Sequence, residues 1–142
     1  MKKILIIALM ALSGCATQAA VQTSKNPTVM IKAEKKAVMD KLVQWKIESG
    51  TMLKSSNEYM LVFEMPIDNM MASLMYGSRF KSIPDARITY NLSQENEVTT
   101  VTGTFHIVTN ANTGAETSKD RTSVVYKDMQ AELDRLKINL EK

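Results

Sequence analysis

The sequence predicts an α+β domain, a four-stranded antiparallel sheet covered on one face by three helices in the order α-ββ-α-ββ-α. Two observations carry this. Residues 51–65 and 86–108 each contain two segments of alternating polarity around a polar turn, the mark of hairpins. Three other stretches repeat apolar residues at three- and four-residue steps, the mark of helices packed by one face.

The first helix is expected over Thr28 to Ser49. Val38, Leu42 and Trp45 form its apolar stripe, and Glu34, Lys35, Asp40, Lys41 and Lys46 take the other side. Pro27 stands at its start and Gly50 at its stop. Strands over Thr51 to Ser56 and Tyr59 to Met65 follow. In the second, Tyr59, Leu61, Phe63 and Met65 alternate with Met60, Val62 and Glu64, so both faces are largely apolar and the strand should be interior. Asp68 is expected to cap a short helix that turns Met71, Leu74 and Met75 inward and ends at Gly77. A loop from Ser78 to Asp85 carries Arg79, Phe80 and Pro84.

The second hairpin sets Ala86, Ile88, Tyr90 and Leu92 against Arg87, Thr89, Asn91 and Ser93. After the Gln94 to Glu97 turn, Thr99, Val101, Gly103, Phe105 and Ile107 alternate with Thr100, Thr102, Thr104, His106 and Val108. Thr109 to Arg121 reads as a polar loop around Asn112-Thr113-Gly114. The last helix runs from Thr122 to Leu140 on the stripe Val125, Met129, Leu133, Leu136 and Leu140.

Ahead of the domain, Lys2 and Lys3 precede nine apolar residues, Ile4 to Leu12, and then Ser13, Gly14 and the single cysteine, Cys15. Nine residues at 1.5 Å rise cross about half of a hydrocarbon core of roughly 30 Å, so this is a secretory leader and not a membrane span. An ordinary leader would be cut at an Ala-x-Ala-like site, which Ala16 to Ala20 could supply, with Cys15 incidental. The stretch Leu12-Ser13-Gly14-Cys15, however, resembles the lipobox of bacterial lipoproteins at every position. The resemblance implies diacylglyceryl transfer to the Cys15 thiolate, cleavage between Gly14 and Cys15, and acylation of the new amine. In that family an aspartate after the cysteine favours the inner membrane. Here the residue is Ala16, which implies the outer membrane, facing the periplasm. The division expected is therefore a signal peptide over 1–14, a lipidated N-terminus and flexible tether over 15–27, and one domain over 28–142.

The formal charge of +3 falls to +1 when Lys2 and Lys3 leave with the signal, so there is no electrostatic footprint for nucleic acid. With Cys15 acylated no thiol remains for a disulfide, and stability must come from a packed core. A chain of this size buries about two-thirds of its unfolded surface. No catalytic set, cofactor motif or metal constellation stands out. His106 is the single histidine and points with the threonines, and Glu95 and Glu97 flank a turn as solvated carboxylates. The expectation is a non-enzymatic binding or assembly module of the envelope, held to the bilayer through Cys15 and contacting a protein partner.

Two places are candidates for that contact: Tyr76, Arg79 and Phe80 in the central loop, where an aromatic beside an arginine suits an anchor, and the threonine row Thr100, Thr102 and Thr104. Met30, Met39, Met52, Met60, Met65, Met70, Met71 and Met75 crowd the middle of the chain. They support an alternative, a carrier or sensor of an apolar ligand in a methionine-lined cavity between helices and sheet.

Overall fold

The computed structural model describes residues 26–67 and 83–142. It consists of β1 (Thr28–Ile31), α1 (Lys35–Glu48), β2 (Met52–Asn57), β3 (Met60–Pro66), β4 (Asp85–Glu95), β5 (Val98–Thr109), β6 (Thr117–Asp120) and α2 (Thr122–Leu140). All six strands form one antiparallel sheet, with β1, β5, β4, β3 and β2 in spatial order and β6 also on β5. The expected four-stranded sheet under three helices is thus corrected to six strands carrying two helices among the described residues. The helix expected from Asp68, with the Tyr76, Arg79 and Phe80 loop, lies outside them.

Both hairpins and the last helix stand where alternation and periodicity put them. β3 is interior, between β2 and β4, and α2 spans the predicted residues. The β4–β5 turn is Asn96-Glu97, and Asn96 takes φ +54°. Its short amide side chain tolerates that left-handed conformation better than most residues.

Two expectations fail for identifiable reasons. The first helix does not reach back to Thr28. Thr28, Val29 and Ile31 are β-branched, and their residues alternate, with Val29 and Ile31 buried and Met30 59% exposed. They pair with Thr102 to Thr99 of β5, and α1 starts only at Lys35. The polar stretch read as a loop contains β6, whose four residues are all exposed. It pairs because the second half of β5 offers an open edge at His106 to Thr109.

β1 and β6 lie end to end along that one edge of β5, and the gap between them is filled by other groups. Gly103 N–H donates to the Pro27 carbonyl at 2.9 Å, Phe105 N–H to Thr122 Oγ1 at 2.9 Å, and Arg121 N–H to the Phe105 carbonyl at 2.8 Å. Pro27, assigned to the tether from sequence, is buried here. The backbone of β5 is therefore satisfied across the junction, as a buried edge requires.

One face of the sheet carries the core. Val29, Leu61, Phe63, Ile88, Tyr90, Val101, Phe105 and Ile107 meet Val38 and Leu42 of α1 and Met129, Leu133 and Leu136 of α2. Gly103 allows α2 to come close. A Cβ there would stand 2.6 Å from Met129 Cε and 3.4 Å from the ring of Tyr90, its cross-strand neighbour.

Candidate functional site

The face away from the helices was singled out by the threonine row, and strand register orders it. Thr100, Thr102 and Thr104 pair with Ser93, Asn91 and Thr89 of β4, and Thr28 of β1 lies beside Thr102, their hydroxyl oxygens 3.2 Å apart. The three threonines are half-buried by their neighbours, while Asn91, Ser93 and Met30 are exposed. Among the described residues both helices lie on the other side, and this end of the sheet presents hydroxyl, amide and thioether groups without a charge among them.

The other end of the same face is charged and closed. Arg87 Nε donates to Glu64 Oε1 at 2.6 Å, Lys54 Nζ approaches the same oxygen at 2.7 Å, and Arg87 Nη1 donates to Glu116 Oε1 at 2.8 Å. Glu64 is buried beneath these cations. Glu116 also accepts the Asn112 N–H at 3.0 Å, which ties the loop after β5 to the sheet. Arg87 first, then that amide, hold the Glu116 carboxyl down to about 2. His106 sits in register between Arg87 and Asp120.

A second concavity lies on the helix side, between α1 and α2. It has a volume of about 510 Å³ and is lined by Trp45, Lys46, Ser49, Asp128, Ala131, Glu132 and Arg135. At its base Glu132 accepts from Lys46 Nζ at 2.8 Å and from the Tyr90 hydroxyl at 3.0 Å, with Lys46 Nζ 5.5 Å from the Tyr90 ring centroid. Burial, and then the Glu132 charge, push the Tyr90 hydroxyl far above its ordinary range, so it stays a donor. Sequence reasoning placed Lys46 on the solvated side of its helix, but it is buried at one helical turn from Leu42. Glu132 lies 86 residues from Lys46 and 42 from Tyr90 in sequence, a juxtaposition that no local pattern announces. The cluster can bind and orient but is internally neutralised, lysine by glutamate.

The described methionines do not gather. Met129 is in the core, Met39 and Met65 pack against it, and Met30 and Met52 are 59% and 62% exposed on strands at opposite edges of the sheet. None of them lines the groove between the helices.

No protein-family model, curated protein or solved structure matches this chain. Among the described residues no helix is long and apolar enough to cross a membrane, and no group of three His, Cys, Asp or Glu side chains could hold a metal. Cys15 and Gly14 lie outside the described residues, as do Tyr76, Arg79 and Phe80.

Proposed function

We propose that this chain is a membrane-anchored periplasmic lipoprotein of the outer membrane, and that its domain is a non-enzymatic binding or assembly module of the cell envelope. The observation that carries the reading is Leu12-Ser13-Gly14-Cys15 behind two lysines and nine apolar residues. Each acyl chain contributes roughly 0.8 kcal/mol per buried methylene, so a triacylated Cys15 holds the domain at the bilayer. The segment from Ala16 to Pro27 reaches at most about 40 Å, which keeps the domain within envelope range of its anchor. The uncharged end of the open sheet face, centred on Thr102, is the surface we assign to a protein partner. It is broad, neither of the described helices lies over it, and its polar groups are short and ordered by strand register.

The test has two parts. Intact mass of the mature protein from purified membranes should show a triacylated chain beginning at Cys15, lost in Cys15→Ser; an unmodified mass cut elsewhere overturns the anchor. Capture from detergent-solubilised envelopes should then recover a stoichiometric partner that Thr102→Arg releases. Recovery of nothing beyond a lipid-anchored control overturns the docking face.

A further inference from the structure

The outward side of α2 carries a row of residues that folding leaves unused. Val124, Asp128, Ala131, Arg135 and Ile138 recur at steps of four, three, four and three, and at about 100° per residue they fall within an arc of roughly 80°. Met129, Leu133 and Leu136 take the buried side. Val124 and Ile138 are each 60% exposed. Asp128 and Arg135 are exposed as well, and neither enters an ion pair among the described residues. Single exposed aliphatic residues are ordinary. Here two of them stand equally far on either side of a small residue, with one carboxylate and one guanidinium between.

We propose that this face binds a second copy of the same chain, α2 against α2, antiparallel about a two-fold axis beside Ala131. The charges select this arrangement. A two-fold axis midway between Asp128 and Arg135 sets each Asp128 against the partner's Arg135, so one operation creates two ion pairs. A parallel pairing would set carboxylate on carboxylate. Ala131, at the point of closest approach, offers only a methyl group, which permits an interaxial distance near the short end of the usual 8–10 Å. Val124 of each copy then meets the partner's Ile138 at both ends, which covers the two exposed aliphatic side chains. The groove toward α1 accepts the flank of the incoming helix, with Trp45 as its far wall. A contact of one helix pair falls at the low end of specific interfaces, below about 1,200 Å², so the dimer is a weak one.

Charge exchange tests this. The protein is purified as the cell delivers it, in mild detergent, and its association is followed by sedimentation equilibrium. Wild type should dimerise. Asp128→Arg and Arg135→Asp should each weaken the dimer by about tenfold or more, because each single change sets like charges together twice. The double variant Asp128→Arg/Arg135→Asp should return to within about threefold of wild type. A wild type that stays monomeric to about 0.5 mM, a dimer indifferent to both single changes, or a double variant no better than the singles overturns the proposal. Circular dichroism and melting of each variant separate lost association from lost folding. As an independent readout, Ala131→Cys should cross-link to itself under mild oxidation above the wild-type level, and failure to do so also overturns the two-fold geometry.

Discussion

Removing the Glu132 carboxylate tests how the two helices are fastened to each other and to the sheet. In Glu132→Ala the Tyr90 hydroxyl, fully buried at the centre of the core face, loses its acceptor, and an unsatisfied buried hydroxyl costs about 1–3 kcal/mol. Lys46 loses its counter-charge with its side chain only 9% exposed. Breaking a fully buried pair costs about 3–5 kcal/mol, but this ammonium borders the open groove and can reach water, so about 1 kcal/mol is assigned to it. The sum is about 3 kcal/mol, which for a domain of this size lowers the melting temperature by roughly 10 °C. Tyr90→Phe should cost only about 1 kcal/mol, because donor and demand leave together and Lys46 still serves the carboxylate. The triple change Lys46→Met/Tyr90→Phe/Glu132→Leu, which removes the whole polar cluster and leaves no buried donor without an acceptor, should come within about 1 kcal/mol of wild type, as apolar replacements of a buried pair do. Urea unfolding followed by fluorescence of Trp45, the single tryptophan and a wall of this groove, reads all three. A Glu132→Ala variant within about 0.5 kcal/mol of wild type, or a Tyr90→Phe variant as unstable as Glu132→Ala, refutes the reasoning.

Three further outcomes are expected. Glu116 is held at about 2 against an ordinary 4.5, so its stabilisation is complete above pH 4.5 and fades as the pH falls through 2. The stability gap between wild type and Glu116→Gln should shrink over that window, and a pH-independent gap would refute it. Gly103→Ala must displace Met129 Cε and should cost about 1–3 kcal/mol. In Met129→Ala the same change should cost much less, a non-additivity that a double-mutant cycle in urea measures. Gln130→Ala removes both side-chain bonds to Thr28, so hydrogen exchange at the Thr28 amide should rise at least tenfold while exchange in β4 stays as in wild type.

What could be read from the chain follows from how local each signal is. Tyr90, Ile88 and Ala86 alternate with Arg87 and Thr89 because the pleat demands it, and the β4–β5 hairpin was legible at once. α2 was legible because Met129, Leu133 and Leu136 recur at the helical period. β1 was missed because four residues ahead of a strong helical stripe were absorbed into it, although the alternation of Val29 and Ile31 around Met30 was the available signal. β6 has no apolar residue at all, and only the vacant edge of β5 makes it a strand. Of the candidate sites, the threonine row was visible as a pattern. The Lys46, Glu132 and Tyr90 cluster was not, because three elements far apart in sequence have to pack before it exists.

The two outer edges of the sheet are protected by different means, and both are familiar ways to stop strands from recruiting strangers. β2 is interrupted by a register shift at Lys54, whereas β1 is covered by side chains from α2. Gln130 takes the Thr28 N–H and donates to its carbonyl, Lys137 Nζ donates to the Met30 carbonyl at 2.6 Å, and Glu141 accepts the Lys32 N–H at 2.7 Å. The second arrangement has a consequence for the order of events at birth. β1 is the earliest described strand to leave the ribosome, yet its neighbours on both sides lie more than 65 residues later in the chain. Long-range closure of this kind is slow and cannot begin until the late segment is present. The sheet therefore cannot be completed at β1 until β5 and α2 have emerged, and the earliest strand of the described domain is the last to find its place.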